Sequence, residues 1–309
     1  MKTRRLGTSG LKVSEVGLGC NNFGMRIDEK ATDAVVGAAI DAGVTLFDTA
    51  DIYGGTKSEE FLGKALGKRR GEIVLATKFG MAIGGDERKK GGSRRWIMTA
   101  VEDSLRRLKT DWIDLYQFHQ PDPDTPIDET LRALDDLVSQ GKVRYIGNSN
   151  FSGWQIADAD WTAAGATRFV SAQNQFSLLE RKVAFDVLPA CEHFGLGFLP
   201  FFPLGSGLLS GKYKRGEKPA EGTRLAAWGA RGAAALSDKN FDKVEALEAW
   251  ADARGHTILE LAFAWLLGHE VVSSVIAGAT SPEQIRTNAA TAGWELTPEE
   301  VKEVGELVK

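Results

Sequence analysis

Four side chains in this 309-residue chain could act together on a polarised double bond: Asp48, Tyr53, Lys78 and His119. Three of them close short runs rich in apolar and β-branched residues: Leu46-Phe47-Asp48, Leu75-Ala76-Thr77-Lys78 and Tyr116-Gln117-Phe118-His119. The fourth, Tyr53, lies on the segment just after the first run. A phenol has an ordinary pKa of about 10, so it gives up its proton readily only if its acidity is tuned. A neighbouring ammonium favours the phenolate, a carboxylate keeps that ammonium charged and aimed, and an imidazole can orient a carbonyl oxygen or share the proton. Taken singly, each residue has a plainer explanation. Asp48 could cap a turn, Lys78 could be solvated, Tyr53 could pack with its hydroxyl outward and His119 could be a satisfied core histidine. Four titratable groups at matching ends of neighbouring runs have no such structural reason, and together they describe a site for polarising a carbonyl.

These ends must be brought together by the fold. Short apolar or β-branched runs alternate with stretches of helical period, which is the pattern of parallel βαβ units. Strands are expected at 13–20, 45–50, 73–79, 113–119, 143–149, 169–176, 196–202 and 273–279. Helices are expected at 28–43, 58–66 (capped by Ser58), 94–108, 127–140, 153–164, 183–194, 241–253 and 257–267. Eight strands with a helix after nearly every one, and no shift in composition, predict a single α/β domain over 1–309: a closed (β/α)8 TIM barrel. Residues 3–12, with Gly7 and Gly10 as turn residues, read as a hairpin plugging the barrel bottom. Residues 203–240 lack clear periodicity and read as a long loop after strand seven, rich in glycine hinges and able to close over a ligand.

Composition narrows the partners. With 43% apolar and 26% charged residues and a net charge of −4, and no basic block beyond short clusters such as 87–90, a nucleic-acid partner is not expected. The two cysteines, Cys20 and Cys191, are too few for a disulfide framework and fit a reducing compartment. The four histidines, His119, His193, His256 and His269, lack metal-ligand spacing, so no protein-held metal is expected. Residues 194–211 carry no charge, but their glycines and prolines read as strand and loop, so no membrane span is expected. The amino terminus meets Gly7-Thr8-Ser9-Gly10 before any apolar run of signal length. The expected location is cytoplasmic.

A carbonyl site needs a second reactant. No nucleophile elbow, Schiff-base signature or metal cluster is present, and a hydride donor fits. Gly17-Leu18-Gly19 and Gly205-Ser206-Gly207 do not continue as G-x-G-x-x-G, and no P-loop is found, so a dinucleotide would lie on the barrel mouth. Candidate contacts on later strand ends are Ser149, Asn150, Gln173, the glycine-rich 205–211 followed by Lys212, and 278–281, where Pro282 starts a helix whose free amides would form an anion site.

The sequence resembles the aldo-keto reductase superfamily from about Thr3 to the last helix. The resemblance rests on Phe47-Asp48-Thr49-Ala50-Asp51-Ile52-Tyr53-Gly54 with Ser58-Glu59 and Leu62-Gly63, on Ala76-Thr77-Lys78, and on His119 with Pro121-Asp122. It continues through Gly141-Lys142-Val143-Arg144-Tyr145-Ile146-Gly147-Asn148-Ser149-Asn150 and Leu209-Ser210-Gly211-Lys212-Tyr213. It implies a catalytic tetrad of Asp48, Tyr53, Lys78 and His119, with Tyr53 as general acid, and reduction of a small-molecule carbonyl by a nicotinamide dinucleotide bound without a Rossmann domain. Ser149, Asn150 and Gln173 would hold the carboxamide, and the loop bearing Pro203, Leu204, Gly205 and Gly207 would cover the pyrophosphate. Gly278, Thr280, Gln284 and Asn288 complete the expected cofactor contacts. Phe201 stands where a tyrosine is frequent, which keeps the stacking and loses a hydroxyl. Gln284 stands where arginine is frequent, so Lys212 and Arg224 would supply the charge for a 2′-phosphate. NADPH is therefore the expected cofactor, with NADH as the alternative. Asn21, where an aromatic often lines the pocket, points to a more polar mouth. The potassium-channel β subunits share this fold and tetrad and bind cofactor mainly as partners, so a regulatory subunit is the competing reading. The natural substrate, the working direction and the oligomeric state are not written in the sequence.

Overall fold

The computed structural model describes the backbone of all 309 residues and every side chain except that of Arg231. Strands β1 (Thr3–Arg5) and β2 (Lys12–Ser14) pair antiparallel, with Thr3 opposite Ser14. Leu6 and Val13 of this hairpin are fully buried against Leu46, Ala76, Leu115, Leu199 and Ile276, so the expected plug exists and is apolar. Gly7 makes it possible. Its φ is +59°, and a Cβ there would lie 2.3 Å from the Gly195 carbonyl oxygen, to which Thr8 N–H donates at 2.9 Å.

Eight strands follow: β3 (Val16–Gly19), β4 (Leu46–Asp48), β5 (Val74–Phe79), β6 (Ile113–Phe118), β7 (Val143–Ser149), β8 (Phe169–Gln173), β9 (Gly197–Phe198) and β10 (Val275–Gly278). They form one parallel sheet in chain order, with β10 beside β3. Backbone bonds from Phe198 to Val271 (2.7 Å), from Ser273 to Phe198 (3.0 Å) and from Ile276 to Pro200 (3.2 Å) join the two edges, as a (β/α)8 barrel requires.

Outside run α1 (Glu29–Asp41), α2 (Lys57–Leu66), α3 (Arg94–Leu108), α4 (Ile127–Ser139), α5 (Gly153–Thr162) and α6 (Val187–Phe194). The rest are α7 (Arg224–Ala227), α8 (Ala230–Ala235), α9 (Asp238–Asp252), α10 (Ile258–Leu267), α11 (Pro282–Ala290) and α12 (Pro298–Glu306). α3 shows why such segments fold locally. Ser93 accepts from Trp96 N–H as its N-cap, and Trp96, Ile97, Ala100, Val101, Ser104, Leu105 and Leu108 form one buried stripe at helical spacing. The main core lies between sheet and helices. Among the described residues, no helix is long and apolar enough to cross a membrane.

Several expected elements take different bounds. The run at 13–20 is two strands, because Val13 and Ser14 pair with the hairpin before Glu15, ion-paired to Arg4 at 2.8 Å, turns the chain into the barrel. The strand expected at 196–202 shrinks to β9, because Pro200 cannot donate; beyond it only single bonds persist, from Leu199 N–H to the Ala172 carbonyl at 2.9 Å and from Phe201 N–H to the Asn174 carbonyl at 3.1 Å. Ser58 does not cap α2: Thr56 holds that position, and the buried Ser58 hydroxyl bonds Cys20 instead. The segment 203–240 is not plain loop, for it contains a 3₁₀ stretch at Gly205–Ser210, α7, α8 and the start of α9.

Candidate active site

Asp48 is the last residue of β4, Lys78 the penultimate residue of β5, and His119 directly follows β6. Tyr53 sits on the turn between β4 and α2, where Gly54 (φ +60°) packs so closely that a Cβ would lie 2.5 Å from the Phe23 carbonyl oxygen. Parallel register sets these strand ends side by side at the mouth, with Asp48 opposite Ala76 and Lys78 opposite Gln117. All four expected catalytic residues therefore meet.

Lys78 is fully buried. Its ammonium donates to Asp48 Oδ2 at 2.6 Å, to the Thr49 carbonyl at 2.8 Å and to the Tyr53 hydroxyl at 3.4 Å. Asp48 Oδ1 accepts from the side-chain amides of Gln117 and Gln173, each at 2.9 Å. Burial works against the charge on Lys78, but Asp48 and the Tyr53 hydroxyl outweigh it and hold the ammonium above its ordinary pKa. Burial raises the Tyr53 pKa and Lys78 draws it down in part. His119 lies edge-on to the Tyr53 ring, with centroids 5.8 Å apart. Burial, reinforced by Lys78, pushes the His119 pKa down to about 3, so its ring is neutral around pH 7. Its Nδ1 is buried without a hydrogen-bond partner in the protein.

A cleft of about 270 Å³ opens from these residues. Ser149, Asn150 and Gln173 line it next to His119. Ser149 Oγ donates to the Gln173 carbonyl at 2.8 Å, and Asn150, in left-handed backbone (φ +61°), donates through Nδ2 to the His119 carbonyl at 2.9 Å. Phe201, Pro203, Leu204, Gly207, Lys212, Arg224, Gly278, Thr280 and Gln284 line the same cleft. Gly205 and Asn288 do not. Gly205 turns the loop against Leu179, and Asn288 is buried on α11. The amides at the start of α11 are partly used, because Thr280 N–H donates to Gln284 Oε1 at 2.9 Å and Gln284 N–H to Ser281 Oγ at 3.2 Å.

The charges in this cleft suit an elongated anion. Asp48 is its one carboxylate, while among the described residues Arg26, Lys212 and Arg224 form no ion pair. Arg224 touches Asn22 Oδ1 at 3.4 Å and lies over the Phe202 ring at 5.2 Å. Burial and the like charge of Arg26 disfavour its protonated form, and an anionic ligand would relieve that cost. Sequence reasoning missed Gln117, whose neutral side chain carried no titratable signal, although its inward place at a strand end could have marked it. It also missed Arg26, on the loop after β3, where position beyond a strand end was again the available clue.

The fold and its mouth define a class: a (β/α)8 barrel that gathers a buried lysine–aspartate pair, a tyrosine hydroxyl and a neutral histidine at the carboxyl ends of its strands. The aldo/keto reductase family model matches residues 15–309, and the chain belongs to that family. It is 37% identical over 321 residues to a rice (Oryza sativa subsp. japonica) protein named probable voltage-gated potassium channel subunit beta, covering 100% of this chain and 97% of the relative. It is 39% identical over 300 residues to the uncharacterized oxidoreductase YrpG of Bacillus subtilis (93% and 89% covered). It is 34% identical over 312 residues to probable aldo-keto reductase 1 of Glycine max (98% and 88%). Membership supports an oxidoreductase, and the family generally uses the nicotinamide cofactors NAD(P)H.

Proposed function

We propose that this single-domain protein reduces the carbonyl of a small aldehyde or ketone to an alcohol, or runs the reverse oxidation, with NADPH preferred over NADH and Tyr53 as the general acid. The observation that carries the reading is the fully buried Lys78 bonded to Asp48 at 2.6 Å and reaching the Tyr53 hydroxyl at 3.4 Å. When bound, the nicotinamide supplies the hydride. As charge develops on the carbonyl oxygen, Tyr53 Oη gives it a proton and Lys78 stabilises the phenolate left behind. Asp48 keeps that ammonium aimed, while Gln117 and Gln173 occupy its other oxygen and fix its rotamer. His119, neutral in this site, offers one hydrogen bond that orients the carbonyl.

Ser149, Asn150, Gln173 and Phe201 are assigned to the nicotinamide half of the cofactor. Pro203, Leu204, Gly207 and Lys212 are assigned to the pyrophosphate, with Gly205 turning the loop that carries them. Arg224, with Gly278, Thr280 and Gln284, is assigned to the adenosine end, where its unpaired charge favours a 2′-phosphate, and Asn288 is left buried behind them on α11. Buried, unpaired Cys20 and Cys191 agree with a cytoplasmic setting.

The names of the rice and Arabidopsis thaliana relatives, probable voltage-gated potassium channel subunit beta, support a second reading: a cofactor-binding partner subunit. Following NADPH absorbance with a panel of aldehydes and ketones separates the two. Catalytic turnover establishes the enzyme. Tight NADPH binding, read from tryptophan fluorescence, with no turnover of any carbonyl favours the partner subunit.

A further inference from the structure

Behind the mouth lies a buried polar layer that the reaction itself does not use. β5 alternates, so Lys78 faces the barrel interior and Thr77, fully buried, faces the helices. The Thr77 hydroxyl donates to Glu59 Oε1 at 2.6 Å, and Arg107 Nε donates to Glu59 Oε2 at 2.6 Å. Glu59 is in the first turn of α2 and has no exposed surface. One turn further on, a Cβ at Gly63 would lie 2.6 Å from the Leu108 carbonyl oxygen, so only a glycine lets α2 approach the end of α3 closely enough for Glu59 to reach Arg107.

The same turn of α2 grips the segment carrying Tyr53. Ser58 N–H donates to the Tyr53 carbonyl at 3.2 Å, and the Ser58 hydroxyl donates to the Cys20 carbonyl at 2.8 Å and meets Thr49 Oγ1 at 2.8 Å. Asp51 N–H, between Thr49 and Tyr53, donates to the Lys78 carbonyl at 3.2 Å. Consecutive residues Ser58 and Glu59 thus hold Tyr53 on one side and the neighbour of Lys78 on the other. The contact between the two ends of this strap is the 3.4 Å separation of Lys78 Nζ and Tyr53 Oη, the longest of the three bonds the ammonium makes.

We propose that Glu59 and Thr77 are positioning residues: their hydrogen bond sets the distance between the Lys78 ammonium and the Tyr53 hydroxyl, and so the readiness of the phenol to donate. The inference rests on the reading of Tyr53 as general acid. A purely structural role would be to tie α2 to α3 through Glu59 and Arg107, and that role does not need Thr77. The titratable groups facing the strap are Cys20, Asp48, Asp51, Glu59, Lys78, Arg107, Tyr116 and His119. Asp51 is buried with no partner for its carboxyl oxygens. Burial, and then the charge of Glu59, raises its pKa well above the ordinary carboxylate range.

Thr77→Val is the deciding variant. It keeps the shape and leaves the Glu59–Arg107 pair intact, whereas Glu59→Gln would strip Arg107 of its counter-charge and cost folding stability. A full 1 Å misplacement costs about 100-fold in rate, so loosening the strap is expected to lower kcat by roughly 5- to 50-fold. KM and NADPH affinity stay within about threefold, because no cofactor or substrate contact is touched. The alkaline limb of kcat moves. So does the ¹³Cζ resonance of Tyr53, identified among the four tyrosines by its loss in Tyr53→Phe. Thr77→Ser, which keeps the hydroxyl, restores both.

A Thr77→Val protein whose Tyr53 resonance and pH profile match wild type overturns the proposal, whatever its melting temperature. The resonance needs no turnover. If wild type proves inactive on every carbonyl, the reduction reading fails, and the strap is still decided by whether Thr77→Val moves the Tyr53 signal.

Discussion

Replacing Lys78 by Met perturbs two quantities of different size. The first is stability. Asp48, 3% exposed, loses its bond to the ammonium at 2.6 Å and keeps only two amide donors. Leaving one partner of a buried ion pair alone costs about 3–5 kcal/mol. The second is acidity. A unit charge 3.4 Å from a developing phenolate stabilises it by ~5 kcal/mol at an effective dielectric of about 20, which corresponds to 3–4 pKa units. If about half of that is felt in the transition state, kcat falls about 100-fold. NADPH absorbance across pH 6 to 10, with thermal melts on the same protein, reads both. Because Lys78 is held above its ordinary 10.5, its contribution to wild-type stability is complete below that pH. It is lost as pH rises further, through the folded value, so wild type and variant should converge in stability only in strong alkali. A Lys78→Met protein that turns over within a few-fold of wild type, with an unchanged alkaline limb, would show that Lys78 does not tune the Tyr53 hydroxyl.

His119, with its pKa near 3 in the folded chain and 6.5 as its reference, should leave no inflection in kcat/KM near pH 6.5. Because the unfolded chain binds that proton first, wild-type stability should fall as pH drops from 6.5 toward 3, and His119→Gln should flatten the fall in acid melts. Arg224→Ala should weaken NADPH by about 10- to 100-fold, the loss of a charge-assisted bond, and NADH by less than about threefold. Equal losses in a fluorescence titration would show that Arg224 does not select the 2′-phosphate.

Where an element's own pattern decides it, the sequence was legible. α3 and β7 have the expected bounds, because a capped amphipathic stripe and an apolar run closed by polar residues each carry their own signals. Where the partner decides, it was not. Residues 13–14 carry the same alternation in a hairpin as they would in a barrel strand, and only Glu15 meeting Arg4 separates the two. Asp48, Tyr53, Lys78 and His119 were readable because each is titratable and three of them sit at strand ends, with Tyr53 on the turn just beyond one. Gln117 is neutral, Arg26 depends on how the loop after β3 turns, and the Thr77–Glu59 bond joins residues 18 apart across a helix–strand interface. The helices inside 203–240 are four and six residues long, too short to show a period. Gln173 was expected at the cofactor, and what the structure adds is that its amide nitrogen also braces Asp48.

The most direct test of Tyr53 as general acid is single-turnover and steady-state reduction of an aldehyde by Tyr53→Phe, with NADPH affinity measured in parallel by tryptophan quenching. The hydroxyl is the one atom removed, the Lys78–Asp48 pair is left intact, and the ring remains to pack beside His119. NADPH affinity is expected within about twofold of wild type and turnover lowered by about 100-fold or more, the contribution of a positioned acid. Turnover within a few-fold of wild type would contradict that role and assign the proton to another group.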